Sequence, residues 1–600
     1  MGCQEGKNVT PEANQNSVVL YDNSRQQWLL FRRPLRILST CHLDAVAGML
    51  REVEQQVAGN QLYAAGFVAY EAGPAFDPAL IVRPPGTFPL LWFGIYQVPE
   101  PISFPPLPAN PAAVIAWEPS VSRSQYQHAF HAIKAYILAG ETYQVNYSFR
   151  LRAPFVDDPW GLFVRMVHAQ GYGYGAFVNT ADWAVCSASP ELFFTLADGV
   201  LTSNPMKGTV PRGLTQAEDL ANGDWLTHSD KNRAENLMIV DMVRNDLGRI
   251  AEGASISVPR LFALEKYPTL WQLTSSVRCR TQAGLLDLFR ALFPAASITG
   301  APKVRTMQII AELENTPRRI YTGTVGFLAP GGWAQFNVAI RTVLVDKASQ
   351  TAEYGVGGGI VWDSEQGDEL DECYTKARIL TRPAPVFALL ETLLWTPADG
   401  YCLLEEHLAR LSDSAAYFSR PVDIAAIRAQ LHHLVADLPA APHRIRLALS
   451  LECGSEVEAH LLKPLPQPYR IRLASRPINA QDPWLYHKTT HRRVYEQALA
   501  DVPGYDDVLL WNAQGELTES CIANIVVERK GRLLTPPVRS GLLAGIRRNR
   551  LLRQDKVVEQ VVKADDLGQC SRIWLVNSVR GMWEVSLESV QVDGQANPTG

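Results

Sequence analysis

The chain has 600 residues, of which 47% are hydrophobic and 20% are charged; this composition suits at least two large cores and excludes wholesale disorder. Its 56 basic and 61 acidic residues give a formal net charge of −5, so we expect no nucleic-acid or anionic-membrane partner. No apolar run reaches 18 residues, and the first ten residues lack the pattern of a secretory signal, so we expect neither a membrane span nor export.

The nine cysteines are scattered, odd in number and never spaced Cys-x-x-Cys. This pattern argues against a disulfide framework and against a thiolate zinc site. It fits a reducing compartment, and we therefore expect a cytoplasmic protein.

The first clear elements follow a proline-rich stretch. Nine prolines lie within 84–111, so the apolar run at 90–96 predicts one short strand flanked by irregular chain. Apolar residues at helical spacing then predict a helix over 124–139. Ser124 is expected to form its capping box with Gln127, and a glycine at position 140 suits the end of the helix.

The middle of the chain alternates strand and helix signals. Residues 183–202 and 321–362 predict strands, and 302–314 predict a helix with proline in its first turn. A helical stretch ends at Thr381, and Arg-Pro-Ala-Pro follows. Proline stops helices and stiffens linkers. We therefore place a first domain at 1–380, a linker at 381–386 and a second domain at 387–600.

Lys207 is the first candidate for chemistry. It lies in Asn-Pro-Met-Lys-Gly-Thr-Val-Pro-Arg-Gly at 204–213, which predicts a rigid turn that other backbone can approach closely. A lysine in a desolvated pocket loses its proton more easily and can act as a nucleophile or base. An exposed turn lysine is the alternative interpretation.

Other polar residues of the first domain fit a site for a carboxylated substrate. Gly300 lies in a loop that opens a helix, where free amides can bind a carboxylate. Arg341 can bind a carboxylate through two parallel hydrogen bonds. Glu369 and Glu372 share one face of a predicted helix, and with Glu235 they could hold Mg²⁺. Solvated acid pairs on a helix are the alternative.

Taken in order, these segments resemble component I of the chorismate-utilising enzymes, the group of anthranilate, aminodeoxychorismate and isochorismate synthases. The resemblance covers about residues 15–380. It implies an α+β fold with two packed antiparallel sheets and surrounding helices. Aminodeoxychorismate synthases typically carry lysine at the position of Lys207, whereas anthranilate synthases carry alanine. Anthranilate synthases also carry histidine where this chain has Gln272, which fits a product that retains its pyruvyl ether.

The resemblance implies roles for the residues. Lys207 would attack C2 of chorismate while the C4 hydroxyl leaves, with Glu191 as general acid and base, and ammonia would then expel the lysine. The other implied roles are magnesium binding and substrate binding; they fall on Glu235, Glu369 and Glu372 for the metal, and on Gly300, Tyr321, Arg341, Gly357, Gly358 and Lys376 for the substrate. No glutaminase motif occurs in the chain, so ammonia would come from free ammonium or from a separate glutamine amidotransferase subunit.

The segment at 20–24 resembles a strand that lines a tryptophan pocket in relatives. Whether tryptophan binds this chain stays open, and a plain edge strand is the alternative interpretation.

The second domain contains another set of candidates. Arg410 lies on a predicted helix, Lys488 ends an extended run, and Glu519 lies at a strand start. Residues from 541 onward predict a helix whose first amides, at Gly545 and Ile546, would favour a phosphate. Ser578 lies in a polar turn after a predicted strand. Each residue alone could instead be part of a basic surface or a cap.

Together these residues resemble the fold-type IV pyridoxal-phosphate enzymes, which include aminotransferases and 4-amino-4-deoxychorismate lyase. The resemblance implies a two-subdomain α+β domain, Lys488 as Schiff-base lysine and Glu519 beside the pyridine nitrogen. It also places the cofactor phosphate on Arg410 and the amides of Gly545 and Ile546, and it makes Ser578 a further cofactor-binding residue. A homodimer through this domain is expected by analogy.

The two resemblances together imply synthesis of 4-amino-4-deoxychorismate and then its cleavage to 4-aminobenzoate and pyruvate, in folate biosynthesis. Three alternatives stay open. The second domain could be an amino-acid aminotransferase, or it could bind pyridoxal phosphate without turnover. The first domain could have anthranilate or isochorismate synthase activity.

Overall fold

The computed structural model describes residues 15–107, 115–171, 173–381, 385–436, 438–451 and 454–588. Contacts divide the chain into two compact units, one of residues 1–211 with 223–384 and one of residues 212–222 with 385–600. The main division falls within the stretch predicted as a linker, and a short segment from the first half of the sequence groups with the second unit.

Two ten-stranded antiparallel sheets form the first unit. The first sheet has, in spatial order, Gly300–Ala301, Gln144–Pro154, Thr351–Ile360, Thr342–Asp346, Trp183–Ser189, Tyr174–Asn179, Ser17–Asp22, Gln27–Phe31 and Glu100–Ile102, with Glu118–Pro119 paired to Gln144–Pro154. The second has Met206–Pro211, Leu270–Arg280, Val200–Asn204, Leu192–Ala197, Trp333–Val338, Thr324–Ala329, Tyr63–Val68, Leu91–Tyr96 and Arg36–Thr40, with Ser257–Lys266 paired to Leu270–Arg280.

The two sheets pack face to face through an apolar layer. Val18 and Phe31 from the first sheet meet Phe67 and Phe327 from the second, and all four are fully buried or nearly so. Separate apolar clusters join the outer faces to helices. The helices with residues in this unit are Leu43–Asn60, Arg123–Leu138, Pro159–Gln170, Gln216–His228, Asp230–Gly248, Leu285–Leu292, Lys303–Leu313 and Gln366–Thr381. Of these, Gln216–His228 begins in the segment 212–222.

The second unit has a four-stranded and a nine-stranded sheet. The smaller sheet contains Gly400–Tyr401, Leu389–Thr396, His443–Ser450 and Gly454–Leu461. The larger contains Val558–Glu559, Arg532–Thr535, Asn524–Arg529, Leu517–Ser520, Asp507–Trp511, Arg470–Leu473 and Ser586–Leu587, with Arg572–Asn577 and Gly581–Glu584 alongside. Its helices are Leu404–Tyr417, Ile424–Val435, Arg493–Ala500 and Ile546–Arg553. The predicted α+β class is confirmed.

Local predictions differ from the structure at the ends of elements. The helix predicted over 124–139 is Arg123–Leu138, and its capping box joins Ser122 to Gln125, so the pair predicted two residues later is wrong. Gly140 follows the helix end with φ 75°, as predicted. The backbone at Ser122 is extended, which lets its hydroxyl accept the N–H of Gln125.

Two predictions about strands also need correction. The proline-rich stretch carries a second strand, Glu100–Ile102, and this strand lies at the sheet edge, where a proline lacking an N–H is tolerated. The strand Ser17–Asp22 is not an edge strand, because it pairs with Gln27–Phe31 on one side and Tyr174–Asn179 on the other.

Among the helices of the described residues, none combines the length and the apolar character that a membrane crossing requires.

Candidate active sites

Lys207 lies in the edge strand Met206–Pro211 and not in the predicted turn. This strand pairs with Leu270–Arg280, and its register shifts between Met206 and Thr209. Gly208 has φ 95°, a conformation that favours glycine. The sequence that predicted a turn therefore encodes a β-bulge, a feature that re-aims side chains beside functional sites.

The Lys207 amine packs against a strand at Gly359, a residue without a side chain. A Cβ placed on Gly359 would collide with Lys207 Nζ and come within 3.0 Å of Gln144 Nε2. Glu235 Oε2 lies 4.0 Å from the amine. The Lys207 side chain is only 15% exposed. This position suits a reacting amine better than an exposed surface lysine.

Gln144 is a member of this site that the sequence analysis missed. It is fully buried, and neither of its amide atoms has a hydrogen-bond partner among the described residues. Unpaired buried amides are costly, so they mark places where a ligand or water completes the hydrogen bonding. The available signal was a glutamine at the start of a long strand in which polar and apolar residues alternate.

We expect Gly359→Ala to lower the rate of the first unit's reaction by ~10²-fold, because its Cβ displaces the Lys207 amine by the order of an ångström. Steady-state kinetics with the substrates that the resemblance implies, chorismate and ammonium, measures this effect. Gly367→Ala is the matched control, since no atom lies within 4 Å of a Cβ at that exposed helical position. Equal rates for the two variants would contradict the placement of the amine.

Glu191 is buried beside Lys207. Ser297 Oγ donates a hydrogen bond to its carboxylate at 2.6 Å, and Glu191 is 3% exposed. Burial raises the pKa of Glu191 to about 7, against the opposing effects of the Ser297 and Met206 hydrogen bonds and of the Lys207 charge. A carboxyl that titrates near neutral pH can both donate and accept a proton.

Glu369 and Glu372 lie about one turn apart on the helix Gln366–Thr381, and the charge of Glu372 reaches Glu369. Ser364 Oγ donates to Glu369 at 2.6 Å. Burial, and then the charge of Glu372, raise the pKa of Glu369. Burial is the largest effect on Glu372 and would raise its pKa. The charge and hydrogen bond of Lys376, which lies 2.9 Å away, together with the charges of Lys207 and Lys231, outweigh burial and lower that pKa.

These carboxylates fit a magnesium ion in part. Mg²⁺ needs only one or two carboxylates plus substrate oxygens and waters, and the repulsion between Glu369 and Glu372 would be relieved by a cation. Glu235 faces the Lys207 amine. Within the described ranges, no three His, Cys, Asp or Glu side chains are placed to hold a metal by themselves.

Arg341 is a buried cation without an acidic partner. It is 8% exposed and donates to the side-chain oxygen of Gln170, and it lies 5.7 Å from the ring of Tyr267. No carboxylate of the described residues lies within 4.0 Å of it, and burial lowers its pKa. Because a buried charge is stable only when paired, this guanidinium is suited to a substrate carboxylate.

The remaining substrate candidates line the glycine strand Thr351–Ile360. Lys376 Nζ donates to the carbonyl of Gly357 at 2.9 Å. A Cβ on Gly358 would come within 2.9 Å of Glu369 Oε2. Tyr321 packs its ring against the same strand. Gly300 has φ 149°, and a Cβ there would collide with the carbonyl of Gln144. The backbone of Gly300 therefore lies close to the strand that begins with Gln144.

In the second unit, Lys488 follows a short 3₁₀ turn, Pro483–Leu485, and does not end a strand as predicted. Its carbonyl accepts the N–H of Leu390 at 2.9 Å. Burial lowers the pKa of Lys488 to about 8, and the charge of Arg410 adds to this effect. A lysine with such a pKa is partly neutral near physiological pH and can act as a nucleophile.

Glu519 lies in the strand Leu517–Ser520 in contact with three donors. Tyr495 Oη donates to it at 2.8 Å, Asn524 Nδ2 at 3.1 Å and the N–H of Leu543 at 3.2 Å. Burial raises the pKa of Glu519 to about 7. Asn524 Oδ1 is also the atom that a Cβ on Gly545 would strike.

Arg410 has part of its guanidinium already engaged. Its Nε and Nη2 donate to Glu391 at 2.8 and 2.7 Å, and His407 Nδ1 lies 2.6 Å from the same carboxylate. Burial opposes ionisation of Glu391, but Arg410 and His407 outweigh it and lower its pKa to about 2. Among the contacts of the described residues, the hydrogen bonds to Glu391 leave the Nη1 group and the second N–H of Nη2 of Arg410 to bind a phosphate.

The helix-start candidates for the phosphate and the further cofactor-binding residue Ser578 lie at the ends of two elements. Gly545 is the N-cap of the helix Ile546–Arg553, so the first amides of this helix, including that of Ile546, have no partner within the helix. Ser578 lies in the turn after the strand Arg572–Asn577. With the Lys488 amine and the buried Glu519, this set fits pyridoxal phosphate.

Comparison with known proteins identifies two matching regions. Residues 15–382 match the family model described as chorismate binding enzyme, and residues 388–587 match the model described as Amino-transferase class IV. The chain is 42% identical over 279 residues to Aminodeoxychorismate synthase component 1 from Klebsiella aerogenes, covering 46% of this chain and 61% of that protein. It is 39% identical over 279 residues to the chloroplastic Aminodeoxychorismate synthase of Arabidopsis thaliana, covering 46% of this chain and 30% of that one.

The chain therefore spans about three fifths or less of these two relatives. Among solved structures, anthranilate synthase component I from Streptococcus pneumoniae TIGR4 is similar, with a TM-score of 0.51 and 23% identity over 64% of this chain and 95% of that one. At this identity the likeness shows a shared fold for the first unit.

Proposed function

The chain belongs to the chorismate binding enzymes, and from this membership we propose that its first unit converts chorismate and ammonia into 4-amino-4-deoxychorismate. The observation that carries the proposal is the Lys207 amine, held against Gly359 beside buried Glu191. The relatives named as aminodeoxychorismate synthases support the same choice.

In the proposed reaction, the Lys207 amine forms a bond to C2 of chorismate. The ring double bonds shift, and the C4 hydroxyl leaves as water after Glu191 protonates it. Ammonia then attacks C4, the double bonds shift back, and the bond to Lys207 breaks, with Glu191 moving the proton. A hydroxyl is a poor leaving group, so a positioned acid is needed, with a contribution of typically ~10²–10⁴-fold.

Substrate carboxylates are proposed to bind Arg341 and Lys376. Arg341 has no acidic partner within 4.0 Å in the described chain, and Lys376 is fixed by Glu372 and the carbonyl of Gly357. Glu369 and Glu372, with Glu235 nearby, would hold Mg²⁺, which neutralises carboxylate charge when it is bound.

The second unit is proposed to bind pyridoxal phosphate and to split 4-amino-4-deoxychorismate into 4-aminobenzoate and pyruvate. When bound, this cofactor supplies an electron sink for carbanion chemistry. Lys488 would attach the cofactor, and its amine, once released, would take the proton from the amine-bearing carbon. Glu519 would face the pyridine nitrogen, and Arg410 with the amides at Gly545 would face the phosphate. The pairing of this unit with a synthase favours lyase activity over amino-acid transamination.

Several wider assignments belong to the same proposal. Ammonia would come from a separate glutamine amidotransferase subunit, consistent with the component 1 name of the relative. The products would enter folate biosynthesis in the cytoplasm. A homodimer would form through the second unit.

The test is product analysis with purified protein, chorismate, Mg²⁺, ammonium and pyridoxal phosphate. We expect 4-aminobenzoate and pyruvate in equal amounts, and accumulation of aminodeoxychorismate when the cofactor is removed. Anthranilate, or isochorismate formed without ammonium, would contradict the first step. A requirement for an oxo acid acceptor would replace the lyase with an aminotransferase.

A further inference from the structure

Arg492 lies four residues after Lys488, at the start of the helix Arg493–Ala500. Its guanidinium carbon is 4.5 Å from the centroid of the Tyr495 ring, and one of its nitrogens donates to the carbonyl of Cys521. The hydroxyl of the same Tyr495 donates to Glu519 at 2.8 Å. Arg492 therefore contacts the tyrosine that donates to Glu519, and its charge reaches both Glu519 and Lys488.

Most N–H donors of the Arg492 guanidinium make no hydrogen bond with the described residues. No carboxylate of the described residues lies within 4.0 Å of it, and its one hydrogen bond goes to a backbone carbonyl. The charge of Arg492 is close enough to help lower the pKa of Lys488. Arg410 differs, because Glu391 already occupies two of its nitrogens.

We propose that Arg492 binds a carboxylate of the substrate at the Lys488 site. An arginine held over an aromatic ring keeps its planar fork in one orientation, and such a fork matches a carboxylate in a bidentate pair. The inference rests on the proposed function, whose substrate carries one carboxylate on the ring opposite the amine and another on the pyruvyl group. Either the ring carboxylate or the pyruvyl carboxylate could bind Arg492, and binding measurements with analogues of each distinguish them.

The test uses the full chain loaded with pyridoxal phosphate. Binding of cis-4-aminocyclohexanecarboxylate, of cyclohexylamine and of pyruvate is followed by the change in visible absorbance or by calorimetry. Arg492→Gln should raise the Kd of the amino carboxylate ~10- to 100-fold, the loss expected for a charged hydrogen-bonded pair, and leave that of cyclohexylamine unchanged. A loss confined to pyruvate would assign the pyruvyl carboxylate instead.

Arg493→Gln is the matched control, because Arg493 is the neighbouring arginine and is exposed. Arg492→Lys keeps the charge over Tyr495 but loses the fork, so it should retain the fold and show a smaller rise in Kd. Equal effects of Arg492→Gln on the acid and the amine, or unchanged Kd values for both carboxylates, would overturn the inference. So would weaker binding of pyridoxal phosphate itself, which would assign Arg492 to the cofactor.

The two hypotheses fail separately. Absence of 4-aminobenzoate from the wild-type reaction would remove the lyase assignment. The preference of Arg492 for the amino carboxylate over cyclohexylamine would still be measured in that case, because binding requires no turnover.

Discussion

Lys207→Ala is expected to lower the rate of aminodeoxychorismate formation by ~10²–10⁴-fold, the contribution typical of a group that takes part in the chemical step. The physical reason is the position of the amine, which is held against Gly359 and 4.0 Å from Glu235. Alanine leaves chorismate and ammonia without an internal nucleophile. Product formation from chorismate and ammonium, measured by chromatography, checks the result.

Two further variants separate the loss of the Lys207 nucleophile from the loss of positive charge in the site. Lys207→Arg keeps a cation near Glu235, but a guanidinium stays protonated and does not attack carbon, so we expect it to be as inactive as alanine. Lys231→Ala removes an exposed lysine whose charge also reaches Glu372, and it should keep most of the activity. All three variants should keep the visible absorbance of the second unit. An unchanged rate in Lys207→Ala would remove Lys207 from the mechanism.

Local signals predicted the fold class and many elements. The helix Arg123–Leu138 follows from apolar spacing, and the division near 385 coincides with prolines. Its capping residue was misplaced because serines at 122 and 124 are both competent caps, and only the backbone conformation at Ser122 selects between them. The grouping of 212–222 with the second unit depends on contacts distant in sequence, for which no local pattern exists.

Site residues could be predicted where one sequence motif contains the reactive side chain. They could not be predicted where a residue's role depends on pairing with a segment distant in sequence. Lys207 was found from its neighbours, but its strand and bulge follow from pairing with Leu270–Arg280. Gln144 was missed because its importance comes from lying beside Gly359, more than two hundred residues away. Likewise Glu391 engages Arg410 across a strand and a helix, which limits the share of that guanidinium open to a phosphate.

Lys488→Ala is expected to abolish the visible absorption band of bound pyridoxal phosphate and to stop formation of 4-aminobenzoate, while aminodeoxychorismate still accumulates. Burial and the charge of Arg410 lower the pKa of Lys488 to about 8, so its amine is available for a covalent bond to the cofactor. Without that amine the cofactor can be held only through Glu519, Arg410 and the helix start at Gly545. Absorbance spectra and product analysis measure both effects in one preparation.

Reduction with borohydride tests the same assignment chemically. In the wild-type protein it should fix the cofactor irreversibly on the peptide that contains Lys488, and the mass of that peptide should rise accordingly. Lys556→Ala, which removes an exposed lysine of the same unit, should label normally, whereas Lys488→Arg should not label, since a guanidinium does not form the bond. A surviving band in Lys488→Ala, with label on another peptide, would place the cofactor on a different amine. Glu519 would then also lose its proposed partnership with the pyridine nitrogen, because that role was proposed together with attachment of the cofactor at Lys488.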